Sequence, residues 1–335
     1  MDTIVPFLSD STARWLPLAL SEQVSGKAPL AVMCMGQAIV LFRDAAGAVR
    51  AMEDRCAHRR APLSLGRVTP EGRLQCGYHG WTYDGASGTC VAIPNLSPHE
   101  RVPAHYAARA YETLERDGYV WARAARGVDT REPAAAAAAA ARATRCAQRF
   151  AGCATVSLAY DDYVAALADG PHLLMRIAGL RITDYVIADP EPRGGRLAME
   201  RGVTWAARRH DHRFGAHYPW TLRLTPPQDG APASVEIDTR DGAPMLWASV
   251  AIAPAARGAT NLLWRGGVAA DTGGAGPALF RLWARLRRSP FAMLEHVDGH
   301  ALAKLDASCS RAWPRAQHAR VIPVESDRLP CEGSR

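Results

Sequence analysis

The stretches CAHRRAPL at residues 56–63 and CGYHGWTYD at residues 76–84 decide the fold of this chain. Together they read C-x-H, seventeen intervening residues, then C-x-x-H. Two thiolates and two imidazoles at the tips of two hairpin-like loops suit a metal centre. A [2Fe-2S] cluster in which two histidines replace two cysteines on one iron requires this ligand set. The predicted ligands are Cys56 and Cys76 on one iron and His58 and His79 on the other.

A structural zinc site with two cysteines and two histidines uses the same four groups. Zinc sites usually pair C-x2-4-C with H-x3-5-H, whereas each loop here contains one Cys and one His. The spacing therefore favours the iron-sulfur cluster over zinc. Two neutral imidazoles in place of two thiolates make such a cluster less negative, which raises its reduction potential.

Length and composition place limits on the remaining function classes. The chain has 335 residues, enough for two domains, and a net charge of +7. Only Lys27 and Lys304 are lysines, and the arginines are dispersed, so we expect no nucleic-acid partner and consider a docking face for an acidic redox partner instead. No apolar run is long enough to span a membrane, and no signal peptide is apparent at the N-terminus, so we expect a cytoplasmic protein. The six cysteines outside the cluster lack a disulfide spacing, and we expect them to be reduced.

The chain divides into two regions of different pattern. Residues 1–125 alternate short apolar runs with Gly, Pro and Asp turns, which predicts an all-β domain. Residues 126–150 include eight consecutive alanines and form a predicted linker in which a short helix is compatible with the composition. Residues 151–335 predict an α+β domain with an antiparallel sheet, in which helices over residues 160–170 and 277–305 flank the strands. We expect these strands at residues 182–187, 196–205, 221–224, 234–237, 245–252 and 261–264.

The resemblance to a known family rests on the motifs CAHRRAPLSLG at 56–66 and CGYHGWTYDGASGTC at 76–90, with WLP at 15–17 and LFR at 41–43. In these segments the chain resembles the Rieske non-haem iron oxygenases, in particular those of the short vanillate O-demethylase and dicamba monooxygenase type. The resemblance implies a Rieske [2Fe-2S] domain followed by a helix-grip (START-like) domain. It also implies a mononuclear Fe(II) held by two histidines and one carboxylate, and a ring-shaped homotrimer.

The family's second iron site matches this chain only in part. By resemblance, a helical N-x2-D-x2-H-x4-H motif supplies the bridging Asp169 and the iron ligand His172, and a later helix supplies the iron ligand Asp298. Ala166 stands where Asn is usual and Ile177 where the second His is usual. One ligand is therefore missing, and an Ile177→His substitution is expected to place an imidazole on the same helix face as His172.

Other polar residues lie near enough in the sequence to be considered as replacement ligands. A solvated polar loop is the alternative interpretation of the histidine-rich segment, and the two later histidines can face away from Asp298. For His172, too, a capping or core role is the alternative. The candidates are His210, Asp211, His212, His217, His296 and His300.

Two functions follow from the sequence. The first is a Rieske-type oxygenase component that takes electrons from an NAD(P)H-dependent reductase or ferredoxin, passes them through Asp169 to the second iron, and hydroxylates or demethylates a small, aromatic substrate. The second is a non-catalytic Rieske electron carrier or partner subunit that has lost its mononuclear iron. The substitutions at Ala166 and Ile177 favour the second, but the resemblance over almost the whole chain favours the first, so we predict an oxidoreductase of the oxygenase type.

Overall fold

The computed structural model places two β-rich domains along the chain. It describes residues 14–97, 99–124, 132–133, 146–193, 196–206, 218–228, 230–269, 282, 289–305, 307 and 309–310. The predicted architecture, an all-β domain followed by an α+β domain with an antiparallel sheet, is confirmed.

The first domain contains a six-stranded antiparallel sheet and a smaller four-stranded one. The larger sheet has the order β1-β10-β9-β4-β3-β2, and the smaller has the order β5-β6-β7-β8. The larger sheet consists of β1 Leu16–Leu20, β2 Leu30–Cys34, β3 Gln37–Arg43, β4 Val49–Glu53, β9 Ala110–Arg116 and β10 Tyr119–Ala124. The smaller consists of β5 Arg67–Val68, β6 Leu74–Gln75, β7 Thr82–Tyr83 and β8 Cys90–Ala92.

A seven-stranded antiparallel sheet forms the body of the second domain, in the order β11-β18-β17-β16-β15-β14-β13. A separate pair, β12 and β19, completes the strands. The sheet consists of β11 Cys146–Val156, β13 Leu180–Arg193, β14 Arg196–Trp205, β15 Trp220–Thr225, β16 Ala233–Thr239, β17 Pro244–Ala256 and β18 Ala259–Ala269. The pair consists of β12 Met175–Ile177 and β19 Phe291–Met293.

Alternation of apolar and polar residues explains why these segments form strands with one buried face. In β15 the buried residues Trp220, Leu222 and Leu224 alternate with half-buried neighbours, because successive side chains of a strand point to opposite faces. The strands expected in the first domain and between residues 180 and 268 are all present. Strand β11 begins at Cys146, within the range 126–150 that the sequence assigns to the linker.

Helix α1, Tyr160–Asp169, confirms the first predicted helix and packs its apolar face into the core of the second domain. It ends at Gly170, whose N–H donates to the carbonyl of Ala166, and Pro171 follows. A proline here disfavours continuation of the helix. The chain then makes a short 3-10 turn and enters β12, so the expected helical register through Ile177 is wrong.

The second predicted helix, over residues 277–305, is also largely wrong where the structure describes it. Residues 291–293 form β19, because Phe291 and Met293 pair with β12 and are buried with it. Helix α2, Gly299–Leu302, is a single short turn after that strand. Most of residues 277–288, and the eight alanines at 134–141, lie outside the described residues.

The two domains are joined by main-chain hydrogen bonds as well as by apolar contacts. At the β2–β3 turn, Met35 N–H donates to Pro254 O and Gly36 N–H donates to Ala255 O, both at 2.8 Å. These bonds tie the first domain to the end of β17. The shared apolar cluster consists of Leu20, Tyr119, Trp121, Ala251 and Leu263.

Among the described residues, no helix is both long enough and apolar enough to cross a membrane.

Candidate metal centre

The two ligand loops have the same main-chain design. The first joins β4 to β5 and the second joins β6 to β7. Cys56 N–H donates to Ala61 O at 2.9 Å, and Cys76 N–H donates to Trp81 O at 2.8 Å. Each loop is thereby closed at its cysteine, so the two sulfur atoms are held by main chain and not by side-chain packing alone.

Four positions after each cysteine, a residue in the left-handed backbone conformation tightens the turn. Arg60 has φ of 59° and Gly80 has φ of 72°. The N–H group of each donates back to the carbonyl of its own cysteine, at 2.9 Å to Cys56 and 3.1 Å to Cys76. Because a non-glycine residue rarely adopts positive φ, the conformation of Arg60 marks a site that the surrounding structure holds in place.

The four predicted ligands divide into a buried pair and an exposed pair. Cys56 and Cys76 are 2% and 3% exposed, whereas His58 and His79 are exposed at the surface with ring centroids 4.6 Å apart. Within the described ranges, no three His, Cys, Asp or Glu side chains converge on one point, as zinc ligands would. A cluster of two irons needs only two side chains on each iron. The arrangement therefore fits a [2Fe-2S] cluster with an inner thiolate-bound iron and an outer imidazole-bound iron.

Tyr83 provides a hydrogen bond to the buried pair. Its hydroxyl lies 3.1 Å from Cys56 Sγ and accepts the N–H of Ala57 at 3.0 Å. Since the hydroxyl already accepts one hydrogen bond, its proton is free to point at the sulfur. Burial raises the pKa of the Cys76 thiol, and the N–H groups of Tyr78 and His79 oppose that effect. These donors stabilise negative charge on sulfur in a site that burial would otherwise make unfavourable.

The indole ring of Trp81 orients one exposed imidazole. The rings of Trp81 and His58 stack with centroids 4.7 Å apart and only 2° between their planes. Tyr106 contacts the same indole edge-on. Loss of water contacts, with smaller contributions from His79 and Arg59, lowers the pKa of His58. The lowered pKa favours the neutral imidazole, which is the form that binds a metal.

Close packing of the loops requires glycine at two positions. A Cβ atom at Gly66 would lie 2.0 Å from Gln75 O, and one at Gly77 would lie 2.8 Å from Leu65 O. In the first loop, Asp54 accepts hydrogen bonds from the N–H and the hydroxyl of Ser64, at 2.7 and 2.6 Å. These contacts explain the glycine and serine of the CAHRRAPLSLG motif.

Replacing Tyr83 by Phe is expected to lower the reduction potential of the cluster by about 50 mV, because the hydroxyl stabilises the more negative reduced state by roughly 1 kcal/mol. Redox titration followed by visible absorption measures the shift. Tyr78→Phe is the matched control, since its ring neighbours His79 and its side chain is exposed. Equal potentials in Tyr83→Phe and the unmodified protein would show that the hydroxyl does not act on the cluster.

The residues predicted for a second iron do not form a comparable site. The carboxylate of Asp169 accepts the N–H of Ser310 at 2.8 Å. Asp298 is exposed and caps α2, accepting from His300 N–H at 2.9 Å. His172 lies in the 3-10 turn between α1 and β12. Over the part of the chain that is described, these side chains do not converge as the ligands of one ion. The three residues present do not fit a mononuclear iron.

Ile177 and His172 share a cavity although they do not share a helix. The cavity has a volume of about 430 Å³, and Ile177 is buried in β12 at its wall. Asp184 also lines this cavity, and buried Arg201 lies close enough to His172 to lower its pKa, after the larger effect of burial. The sequence carries no signal for Asp184 or Arg201, because isolated charges on predicted strands belong to no motif.

Of the six candidate replacement ligands, the structure describes only His296 and His300. His296 and His300 are exposed on either side of Asp298. His210, Asp211, His212 and His217 lie outside the described residues.

Comparisons with known proteins agree with this geometry in the first domain. The Rieske [2Fe-2S] domain family matches residues 14–110. The chain is 42% identical over 112 residues to "Protein TIC 55, chloroplastic" of Arabidopsis thaliana, which is 33% of this chain and 20% of that protein. It is 38% identical over 108 residues to the oxygenase subunit of 3-chlorobenzoate-3,4-dioxygenase of Comamonas testosteroni, 32% of this chain and 24% of that protein. The chain thus spans about a quarter or less of the length of these relatives.

Solved structures extend the likeness to both domains. Dicamba monooxygenase bound to dicamba superposes with a TM-score of 0.58 and 22% identity, covering 82% of each chain. NdmA of Pseudomonas putida CBB5 with caffeine superposes with a TM-score of 0.52 and 20% identity, covering 81% of this chain and 79% of that one. At these identities the likeness establishes the fold. Residues 14–110 are therefore a Rieske [2Fe-2S] domain, and about four-fifths of the chain shares the fold of dicamba monooxygenase.

Proposed function

We propose that this protein is the oxygenase-type component of a Rieske electron-transfer system. It takes electrons from a separate NAD(P)H-dependent reductase or ferredoxin and directs them to its second domain for hydroxylation or demethylation of a small, aromatic substrate. The observation that carries the proposal is the pairing of buried Cys56 and Cys76 with exposed His58 and His79. When bound there, a [2Fe-2S] cluster accepts and releases one electron at a time.

The surface around the exposed imidazoles has features of a binding site for a partner protein. Among the large hydrophobic residues that the structure describes, Leu65 and Tyr78 are the most exposed to solvent, at 78% and 66%. Tyr78 contacts His79, with ring centroids 3.8 Å apart, and Leu65 packs its carbonyl against Gly77. Exposed apolar groups beside a redox centre favour a docking surface, because they lose contact with water when a partner binds.

The charges of the two ligand loops indicate the chemistry of that partner. Residues 56–70 contain Arg59, Arg60 and Arg67 and no Asp or Glu, and residues 72–83 contain Arg73 and no Asp or Glu. Positive charge around the electron-entry edge would attract an acidic redox protein and raise its association rate. We therefore propose an acidic reductase or ferredoxin as the electron donor.

Metal and sulfide analysis of anaerobically reconstituted protein tests the proposal. We expect about two irons and two acid-labile sulfides per chain and the visible absorption of a Rieske centre. Oxygen uptake driven by a reductase and dependent on an aromatic substrate would support the oxygenase. Protein that contains zinc and lacks sulfide would exclude the proposed cluster.

The electron carrier or non-catalytic partner subunit is the second candidate. The specific observation in its favour is that Asp169, His172 and Asp298 do not converge, while Ile177 offers no ligand atom. A third iron per chain with substrate-dependent turnover supports the oxygenase. Two irons per chain with reversible reduction and no turnover support the carrier.

A homotrimer is the proposed assembly. The resemblance described under the sequence motifs implies it, and a cluster in one domain needs an electron acceptor within a short distance. Light scattering of the purified protein measures the assembly, and a stable monomer with full activity would contradict it.

The proposed location is the cytoplasm. Among the described cysteines, Cys34, Cys90, Cys153 and Cys309 form no disulfide, and three of these four are buried. Cysteines without disulfides are typical of a compartment that keeps thiols reduced. Fractionation of the native host with an antibody to the chain tests this location.

A further inference from the structure

The two imidazoles of the cluster site lie against rings in different ways. His58 stacks on the indole of Trp81, with ring centroids 4.7 Å apart and 2° between the planes. His79 contacts the phenol of Tyr78, with centroids 3.8 Å apart and 36° between the planes. The two imidazoles meet each other edge-on, with 65° between their planes. Of these three contacts, the one between His58 and Trp81 is a parallel stack, and such a stack restricts the plane of both rings.

The protein holds the ring of Trp81 in place. Trp81 is 8% exposed and belongs to the apolar cluster that also contains the ligand cysteines. Its carbonyl oxygen accepts the N–H of Cys76 at 2.8 Å. Tyr106 packs edge-on against the indole, with centroids 4.8 Å apart and 69° between the planes. Tyr106 is fixed in turn, because its carbonyl oxygen accepts the N–H of Cys90 at 2.9 Å. A row of rings therefore connects the interior of the domain to His58.

The ring beside His79 is held much less firmly. Tyr78 is 66% exposed, against 8% for Trp81. An exposed side chain keeps rotamer freedom that a buried one has lost, so a contact with it restricts a neighbouring ring less. Residues that orient a metal ligand typically change metal affinity by about ten- to a hundredfold when they are replaced. Trp81 meets that description for one imidazole, and Tyr78 does not meet it for the other.

We propose that Trp81, backed by Tyr106, is the positioning residue for the His58 imidazole. The orientation of His79, by contrast, does not depend on Tyr78. The imidazole of the first loop is thus held from inside the domain, which leaves Tyr78 free to contact a redox partner. The proposal deepens the proposed function and rests on it, because both require the [2Fe-2S] cluster.

Pulsed EPR of the cluster-loaded, full-length protein, reduced with dithionite, tests the proposal. The couplings between the cluster and the nitrogens that bind it depend on the orientation of each imidazole. Trp81→Leu keeps an apolar side chain but removes the stacked ring, so it is expected to change the coupling of one imidazole and leave the other. It should also release iron to a chelator about tenfold faster. Trp81→Phe should restore both properties, because a planar ring again lies against His58.

Tyr78→Leu is the matched control, since it removes the ring beside the other imidazole and is expected to change neither the couplings nor the release rate. Trp81→Leu with both couplings unchanged would overturn the proposal, as would a Trp81→Phe protein that behaves like Trp81→Leu. An equal change in Tyr78→Leu would also overturn it.

If Trp81→Leu does not retain the cluster, Tyr106→Leu decides, because it removes the edge-on support and leaves the indole present. It should change one coupling to a smaller extent, and an unchanged spectrum would overturn the proposal. Unmodified protein without iron and sulfide would overturn the proposed function as well. Unchanged couplings in cluster-loaded variants would overturn the positioning role alone.

Discussion

Replacing His79 by Ala is expected to reduce the iron content from about two per chain to nearly none, because the outer iron keeps only His58 and the loops lose the metal that closes them. The visible absorption of the cluster should disappear with the iron. The thermal unfolding midpoint of the first domain should fall, since metal binding contributes folding free energy. Iron analysis, absorption spectra and calorimetry of the same preparation measure all three effects.

His99→Ala is the matched control for this substitution. His99 belongs to the same domain and is exposed, but it lies outside both ligand loops. It should keep the iron content, spectrum and unfolding midpoint of the unmodified protein. A His79→Ala protein that retained a full cluster would show that the second loop ligates through another residue.

Replacing Gly66 by Ala is expected to destabilise the first domain by about 3 kcal/mol. This value lies at the upper end of the range for an added methyl group in a packed core, because the clash is with main-chain atoms. The new Cβ atom would lie 2.0 Å from Gln75 O, immediately before Cys76. Relief of that clash must separate the two ligand loops, so we also expect weaker retention of the cluster. Urea unfolding and the rate of iron loss to a chelator measure these effects.

Gly26→Ala is the corresponding control, since Gly26 is exposed and its added Cβ atom would meet nothing within 4 Å. The same methyl group is added there without a clash. Equal stability of the two variants would mean that the loops tolerate the displacement, and that Gly66 does not set their separation.

The candidate ligands of the cluster could be predicted because they lie close together in the sequence. The four predicted ligands lie within 24 consecutive residues, on two loops that short strands border. The burial of Cys56 and the exposure of His58 follow from the same loop. The assignment of these four residues to two irons remains a prediction for the metal analysis described above.

The second domain was predictable in its sheet but not in its polar core. Strand β14 was expected over its full length, Arg196–Trp205, yet nothing in its pattern distinguishes Arg201 from a surface charge. Its burial depends on α1, which contacts it across about 30 residues of sequence. Likewise, Ile177 lies in strand β12 and not in the predicted helix, because β12 pairs with β19, which is more than 100 residues away in the sequence.

The hydrogen bonds from Met35 and Gly36 to the end of β17 have a mechanical consequence for electron delivery. A redox domain tethered only by a flexible linker can swing between its donor and its acceptor. Among the described residues, main-chain hydrogen bonds and a shared apolar cluster hold the first domain against the sheet of the second. The cluster site therefore keeps a fixed position relative to the second domain, and the electron donor must reach it there.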